Sequence, residues 1–540
     1  MRCSLSPAAL LLVALGCSGA EPEPPAAKAS SAPLPEPAPS GSAALAASAE
    51  LPALDSVPNS TPLVDLSGQA QPLPVTLPGA GPRVYARALK VWIHQAPDRN
   101  SRRLGYLRSG GSSPTRGGAA GHADCPGGWY PIAPAGYVCV GRRATLDGSD
   151  PVVVATREHR PDHERPLPYI YGTVRRPGPI YRRLPTPEEL KRAEPDIDKR
   201  MPEWLDAPGE VGASYAQHVW LGRPGELPDP RAAWESQLSQ GVPEFLRGNK
   251  VAPSAFALKD PQALSVERMR PKVGFSFLET FLHEGRRYGV TPDLRILPTD
   301  RLRPIQGSRL TGHEIPKDID FPFAIVRKQN AHRYIFKADG GRLVKHEPAT
   351  HGAAIKLTGK QRFFNKVLHY ETGEGHWLSD REASRLDPAK RMPKWGTQGE
   401  KWIDVNLSKQ TVVLYEGTRP VYATLISSGE AGLEDHRTST ATKRGIFRIH
   451  TKHITTTMSS DEAGEEFELR DVPYVMYFEE GYAMHGAYWH DRFGTPKSHG
   501  CLNLSPEDAR RIFHWTDPQV PPGWHGALLP LKGTILFVHP

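Results

Sequence analysis

Apolar and polar residues alternate in the segment that begins at Lys401. Ile403 and Val405 fall on one side of the predicted strand and Asp404 on the other, as in a strand that buries one face. A second apolar run follows after a Ser-Lys turn, which predicts a hairpin. Further strand-like runs occupy residues 421–426, 445–449, 473–478 and 533–538. The pattern predicts a mainly β domain over residues 396–540.

Shorter strand-like runs, separated by turns rich in Gly, Pro, Asn and Ser, precede this domain. Those in residues 83–145 resemble a bacterial SH3-like module, a small barrel found beside cell-wall enzymes. Residues 266–395 form a second β-rich stretch for which an SH3-like fold is one option. Residues 146–265 are a mixed segment to which the pattern assigns no fold. The chain is therefore predicted to be mainly β, with SH3-like modules before a C-terminal β-sandwich or barrel that carries one flanking helix.

Helix-end signals predict two short helices. Thr186 suits an N-cap, Pro187 suits the first turn, and Glu189 completes a capping box. Pro195 should end this helix. In the C-terminal domain, Ser505 can cap a second helix, whose apolar stripe would pack on the sheet. That stripe comprises Ala509, Ile512 and Phe513.

The first residues resemble a bacterial lipoprotein signal, with a charged start, a short apolar run and then a cysteine. We expect a signal peptide over residues 1–17, with Cys17 lipidated. Ordinary cleavage after the small residues at 18–20 is the alternative, and it would leave a free secreted protein. Either route predicts an exported protein of the cell envelope or periplasm, and lipidation would anchor it to a membrane.

Residues 18–82 contain 14 prolines and no aromatic residue. Such a segment buries too little apolar surface to offset the entropy of ordering. We therefore expect a disordered Pro/Ala/Ser linker.

Composition and charge narrow the class of protein. Gly and Pro account for 50 and 55 of the 540 residues, which disfavours a helical bundle or coiled coil. The net charge is +8, from 67 Lys and Arg against 59 Asp and Glu. These charges are spread along the chain without a nucleic-acid-binding motif, so an anionic cell-wall polymer or membrane surface is the expected partner.

Three cysteines lie beyond the predicted signal peptide. Cys125 and Cys139 bracket a Pro-Gly-Gly-Trp-Tyr turn, and an exported protein can be oxidised, so they form either a disulfide or two buried thiols. Cys501 is then unpaired in the sequence. A lone thiol in an exported protein is either accidental or reactive.

Residues that could activate a thiol surround Cys501. His485 lies sixteen residues upstream, and Ser498, His499 and Gly500 directly precede it. A free thiol has a pKa of about 8.5 and needs a base at neutral pH. Gly500 permits a sharp turn in which backbone N–H groups could bind an oxyanion. The alternatives are an inert buried thiol and a zinc site formed by both histidines and the cysteine.

The pairing of His485-Gly486 with Ser498-His499-Gly500-Cys501-Leu502-Asn503 resembles the catalytic signature of the L,D-transpeptidases, the YkuD-type domain of bacterial cell-wall synthesis. The resemblance covers residues 400–540. It implies that Cys501 is the nucleophile, His485 the base and His499 a second imidazole that orders the site. It further implies oxyanion or substrate-binding roles for four residues, Gly486, Ser498, Gly500 and Asn503.

The resemblance also implies a function. The protein would be a peptidoglycan L,D-transpeptidase that cross-links stem peptides through a cysteine thioester, with no cofactor and no metal. The same site could act as an L,D-carboxypeptidase or hydrolase, or tether a protein to the wall. A non-catalytic wall-binding lipoprotein is the alternative from another class. Expected partners are stem peptides, wall polymer bound by the SH3-like modules, and the membrane.

Overall fold

The computed structural model describes residues 82–200, 241–256, 260, 262–337, 341–373, 375–389, 391–460, 467–528 and 533–540. The predicted signal peptide, Cys17 and nearly all of the predicted linker lie outside these residues. Within them, no helix is both long enough and apolar enough to cross a membrane. The described chain is mainly β, which confirms the predicted class.

Seven short strands occupy the first described region. They are β1 (Arg83–Ala86), β2 (Val91–His94), β3 (Arg103–Leu107), β4 (Ser112–Pro114), β5 (Trp129–Pro131), β6 (Tyr137–Cys139) and β7 (Ala144–Thr145). A disulfide joins Cys125 to Cys139, whose Cα atoms are 5.8 Å apart. It links the loop before β5 to the end of β6.

The middle region combines short helices with small sheets. Its elements are α1 (Pro151–Thr156), β8 (Ile170–Val174), β9 (Pro179–Tyr181), α2 (Pro187–Ala193), β10 (Ser265–Arg268), β11 (Val273–Phe277), β12 (Glu279–His283), β13 (Arg286–Val290), β14 (Ile296–Pro298) and β15 (Leu302–Ile305), with 3-10 turns at Glu244–Leu246 and Thr299–Arg301. Helix α2 has the predicted capping box between Thr186 and Glu189, and it ends before Pro195.

A seven-stranded sheet dominates the next region. The elements here are β16 (His313–Glu314), β17 (Phe323–Val326), β18 (Ala331–Phe336), β19 (Leu343–Ala349), β20 (Ala354–Phe364), β21 (Val367–Thr372), β22 (Trp377–Ser379), β23 (Ala383–Leu386) and α3 (Lys394–Thr397). The strand order in the sheet is β19-β18-β22-β21-β20-β17-β23. Strand β16 instead pairs with β26 of the C-terminal domain.

The C-terminal domain contains the strands that the alternating pattern predicts. Its elements are β24 (Lys401–Asn406), β25 (Thr411–Glu416), β26 (Arg419–Leu425), β27 (Gly445–Arg448), β28 (Thr451–Ser460), β29 (Phe467–Glu479), β30 (Tyr482–Gly486), β31 (Leu502–Leu504), α4 (Pro506–Trp515), β32 (Gly526–Leu528) and β33 (Ile535–His539). Ile403 and Val405 are fully buried, whereas Asp404 is half-buried.

Two sheets of this domain pack face to face, with one helix beside them. One sheet has the strand order β16-β26-β25-β24-β33-β27, and the other contains β28 to β31. Their shared core includes Val405 and Leu414 from the first sheet, Met484 and Leu502 from the second, and Ile512 from α4. A β-sandwich with one flanking helix is therefore confirmed for the C-terminal domain.

The second sheet extends beyond the C-terminal domain. Strand β28 pairs with β32, and β32 pairs with β3 near the N-terminus, with Tyr106 opposite Gly526. On its other side, β29 pairs with β11 of the middle region. The strands of residues 83–145 are thus hydrogen-bonded directly to the C-terminal domain, although the sequence suggests separate modules. The predicted domain boundaries and the SH3-like resemblance stay predictions.

Candidate active site

Two adjacent parallel strands bring Cys501 and His485 to the same face of a sheet. Strand β30 pairs with β31 so that His485 lies opposite Asn503. Cys501 comes two residues before Asn503, immediately before β31. Because side chains two residues apart share a face of a strand, the thiol and the imidazole are diagonal neighbours.

The thiol of Cys501 is half-buried and protonated at rest. It donates a hydrogen bond to the carbonyl oxygen of Gly481, with Sγ 3.7 Å from that oxygen. Burial raises its pKa above the usual range, and a hydrogen bond from the backbone N–H of Ala483 offsets part of this shift. Tyr488 and Val475 belong to the apolar cluster against which the cysteine packs.

The imidazole of His485 is neutral. The side chain is 2% exposed, and burial lowers its pKa to about 4 despite the contact with the Gly486 carbonyl. Nδ1 lies 3.4 Å from that oxygen, which can only accept, so Nδ1 carries the proton and Nε2 is free to accept one. Within the described residues, no hydrogen bond joins this ring to the thiol of Cys501. The resting pair is therefore uncharged.

Ser498 closes the turn that presents the thiol. Its hydroxyl donates to the carbonyl oxygen of Cys501 at 2.5 Å and accepts the N–H of Gly500 at 3.1 Å. Gly500 has φ +122°, and an added Cβ would lie 2.9 Å from the ring of Tyr482, so this position requires glycine. The N–H of Gly500, which the sequence suggests as an oxyanion donor, is thus engaged with Ser498 in this arrangement.

His499 and Gly486 lie in contrasting surroundings, and their predicted roles stay predictions. His499 is exposed, and its ring contacts that of Phe467, with centroids 5.3 Å apart. Gly486 is buried, and an added Cβ would lie 3.0 Å from Pro473 and 3.3 Å from Ala509 of α4. Gly486 therefore permits close packing beneath the site and supplies the carbonyl that orients His485. The structure gives it no exposed surface for substrate.

Asn503 is also buried, although the sequence suggests contact with substrate. It is 1% exposed, and its side-chain amide forms a hydrogen bond with Nε2 of His490 at 3.0 Å. Burial lowers the pKa of His490 to about 3. Backbone hydrogen bonds in both directions tie Asn503 to Ser427 at 2.9 Å. Asn503 therefore connects β31 to His490 and to the backbone at Ser427.

Sequence reasoning did not select His490 or the two tyrosines beside the thiol. The pKa values of Tyr477 and Tyr482 are raised, mainly by burial and then by Cys501. Only the position of His490 between the two motifs could have indicated it. The tyrosines lie on strands β29 and β30, where aromatic residues are ordinary core components.

Helix α4 holds the strands of the site in place. Asp508 accepts hydrogen bonds from Tyr422 and Thr424, both at 2.6 Å. At the other end of the helix, the buried Lys452 donates to the carbonyl oxygen of Thr516 at 2.7 Å and to that of Phe513. A cation is favourable at a helix C-terminus. These contacts join β26 and β28 to the helix that follows β31.

The zinc alternative requires donor atoms to converge on Cys501. Among the described residues, the group whose potential ligand atoms lie within 4.8 Å of one another is His346, Glu347 and His376. That group lies at the seven-stranded sheet and could hold a divalent transition metal. The geometry at Cys501 instead favours nucleophilic chemistry.

The fold and the site together define a β-sandwich domain in which a cysteine just before one strand lies diagonally across from a neutral histidine on the adjacent parallel strand. This arrangement is suited to nucleophilic chemistry at sulfur. Residues 400–532 match the YkuD family, described as the L,D-transpeptidase catalytic domain. The predicted resemblance of the C-terminal domain to the YkuD L,D-transpeptidases is thereby confirmed over these residues.

Similar proteins occur among curated sequences and solved structures. The chain is 28% identical over 142 residues to “Putative L,D-transpeptidase YciB” of Bacillus subtilis (strain 168). The match covers 22% of this chain and 61% of that protein, less than two thirds of its length. A mutant L,D-transpeptidase of Enterococcus faecium is 23% identical, with 26% of this chain and 50% of that chain covered and a TM-score of 0.20. An L,D-transpeptidase from Mycobacterium smegmatis is 14% identical, with 44% and 89% covered and a TM-score of 0.21.

Proposed function

We propose that the protein is a peptidoglycan L,D-transpeptidase that cross-links stem peptides through a thioester at Cys501. The observation that supports this most directly is the position of the Cys501 thiol, immediately before β31, diagonally across from the neutral imidazole of His485 on the adjacent strand β30. The match of residues 400–532 to the YkuD family supports transpeptidase activity in general. The stem-peptide substrate and the thioester at Cys501 are specific to this proposal.

The first half of the reaction releases D-alanine. Nε2 of His485 takes the proton of Cys501 as the sulfur attacks the carbonyl carbon of the diamino-acid residue in a stem tetrapeptide. The oxyanion is stabilised by the backbone N–H of Cys501, and by that of Gly500 once it is released from Ser498. The C–N bond then breaks, and His485 returns its proton to the departing amine. A thioester and free D-alanine result.

The second half transfers the acyl group to an amine. The side-chain amine of a neighbouring stem attacks the thioester carbon, and His485 accepts the proton that this amine loses. As the C–S bond breaks, His485 returns the proton to sulfur. The products are an amide cross-link and the regenerated thiol, so the atoms and protons balance without a cofactor.

Other acceptors use the same groups. Water in place of the amine gives an L,D-carboxypeptidase or hydrolase, and a protein amine gives a wall-tethered protein. We propose the stem amine as the principal acceptor. A wall-binding protein without activity is the candidate from another class, and muropeptide masses separate these four outcomes.

We also propose that the chain is exported and anchored at the cell envelope through lipid on Cys17, with residues 83–145 contacting wall polymer. The lipoprotein-like signal in residues 1–17 supports the anchor. Labelling cells with a radioactive fatty acid tests it. Label should enter the wild-type protein but not the Cys17→Ala variant.

The central experiment incubates the protein with sacculi rich in tetrapeptide stems and measures muropeptide masses. The wild type should produce cross-linked dimers and release D-alanine. Cys501→Ala should produce none, and His485→Gln should be slower by about 10²–10⁴-fold, as expected for loss of a general base. Exchange of the exposed His122 for Gln is the matched control and should leave the rate unchanged.

Full activity in Cys501→Ala would refute the proposal. Tripeptides without dimers would identify water as the acceptor, and unchanged masses with binding to sacculi would identify a non-catalytic protein. Each variant should first show the thermal unfolding transition of the wild type.

A further inference from the structure

A cavity of about 600 Å³ lies where three parts of the chain meet. Its walls include Lys90 between β1 and β2, Arg108 after β3, Arg295 before β14 and Thr456 on β28. Cavities of about 300–1,000 Å³ are the usual size for small-molecule sites. The volume suits a ligand of several polar groups rather than a single ion.

The lining of this cavity is strongly cationic. Of the described lining residues, Asp293 alone carries a negative charge, and its carboxylate lies 2.8 Å from Nε of Arg295. The lining cations are Arg87, Lys90, Arg108, Arg143, Arg182 and Arg295. A concave wall with one sign of charge concentrates ions of the other sign.

Carboxylates neutralise only half of these cations. Arg87 pairs with Asp150 at 2.9 Å, and Arg108 pairs with Asp471 at 2.6 Å. Arg295 pairs with Asp293. The remaining three cations have no carboxylate within 4.0 Å among the described residues, and they are Lys90, Arg143 and Arg182.

Two of these unpaired cations occupy unfavourable surroundings. Nη1 of Arg182 is buried and has no hydrogen-bond partner in the described part of the chain. Burial and then Arg295 lower the pKa of Arg182. Burial and then Arg108 lower the pKa of Lys90. A buried, unpaired donor among like charges is costly, and a bound anion would recover that free energy.

An aromatic side chain lies at the edge of the cavity. Phe256 is 37% exposed, and the guanidinium groups of Arg142 and Arg143 each lie 5.1 Å from its ring centroid. An exposed ring flanked by cations can contact the apolar face of a ligand while the cations bind its charged groups. The cavity therefore offers both kinds of contact.

We propose that this cavity binds an anionic glycopolymer segment with two or more phosphate or carboxylate groups, placed against Lys90, Arg143 and Arg182. The site goes beyond the proposed reaction. If that reaction is correct, the ligand is a segment of an envelope polymer, and the cavity holds the enzyme on it. Strand β28 links the cavity to the catalytic face, because Met458 packs in the cluster that contains Cys501.

Calorimetric titration of the full chain tests the site, using sodium tripolyphosphate as the phosphate probe and hexa-L-glutamate as the carboxylate probe. The background variant Cys501→Ala removes turnover, so the result is independent of the transpeptidase proposal. Lys90→Gln/Arg182→Gln removes two cavity cations. Lys328→Gln/Lys345→Gln, at exposed positions beside and within the seven-stranded sheet, removes the same charge elsewhere.

At least one probe should bind saturably, and a higher salt concentration should weaken that binding. The cavity variant should bind that probe at least tenfold more weakly, while the control changes by less than about twofold. The tighter probe identifies the anionic group. Equal losses in both variants, or no saturable binding of either probe, would overturn the proposal. If the double variant does not fold, the exposed Arg143→Gln must weaken binding about threefold or more.

Discussion

The hydroxyl group of Ser498 lies 2.5 Å from the carbonyl oxygen of Cys501 and also accepts the N–H of Gly500. One side chain thus bonds to both ends of the turn that presents the thiol. The turn is further fixed by backbone hydrogen bonds between Ser498 and the segment after β26, at Ser428 and Glu430. The position of the sulfur therefore depends on a residue that does not itself react.

Replacement of Ser498 by Ala should slow the reaction without unfolding the protein. Both hydrogen bonds are lost, and each contributes about 1 kcal/mol, so kcat should fall by roughly tenfold or more while KM changes little. Ser498→Thr keeps the hydroxyl and should restore most of the rate. Steady-state kinetics on a soluble tetrapeptide checks this, and a loss confined to KM would place Ser498 at the substrate instead.

The uncharged state of Cys501 and His485 predicts a distinctive pH dependence of alkylation. Only the thiolate reacts with iodoacetamide, and the pKa of Cys501 lies above its usual range. The rate should therefore rise about tenfold per pH unit through neutral pH, with an inflection above about pH 8.5. Mass spectrometry of the peptide that contains Cys501 measures this rate.

The contrasting arrangement is a thiolate paired with a protonated imidazole. That pair would give an alkylation plateau below pH 7, and the plateau would disappear in His485→Ala. Because burial lowers the pKa of His485 to about 4, we expect no such plateau in the wild type. The His485→Ala profile should then keep the alkaline inflection.

The burial of Asn503 predicts a loss of stability rather than a loss of substrate affinity. Asn503→Ala removes the hydrogen-bond partner of the buried His490, and an unpaired buried group costs about 1–3 kcal/mol. Urea unfolding should show this decrease, while KM for the donor peptide stays near the wild-type value. An increase in KM at unchanged stability would show that Asn503 contacts the substrate.

The sequence predicts those features that local patterns determine. Alternation at Ile403, Asp404 and Val405 identifies a half-buried strand without any knowledge of its partner. The capping box at Thr186 and Glu189 fixes a helix start, because its hydrogen bonds join residues three apart. The same locality explains why the motif around Cys501 could be recognised.

Contacts between distant residues escaped sequence reasoning. The pairing of β3 with β32 depends on where two short strands end up in the fold, and neither strand carries a signal for the other. The engagement of Gly500 by Ser498 and the bond between Asn503 and His490 depend on side-chain rotamers in the folded state. Residue types alone therefore did not indicate these hydrogen bonds, and the predicted roles of Gly500 and Asn503 toward oxyanion and substrate stay predictions.

The β3–β32 junction yields a final prediction at Gly105. A methyl group there would lie 2.2 Å from the carbonyl oxygen of Gly526 and 2.5 Å from the ring of Trp524. A backbone oxygen cannot move away from the added methyl group as the end of a flexible side chain can. Gly105→Ala should therefore lower the free energy of unfolding by about 1–3 kcal/mol. Gly118→Ala is the matched control, because nothing lies within 4 Å of its added Cβ.

Hydrogen exchange distinguishes a local separation of β3 from β32 from a general loss of stability of the whole fold. In Gly105→Ala, the amide groups of β3 and β32 should exchange faster, while those of β24 and β25 keep their protection. Such a result would show that the N-terminal strands are held to the catalytic domain by this pairing. Wild-type stability and exchange in Gly105→Ala would instead mean that the two strands do not pack this closely in solution.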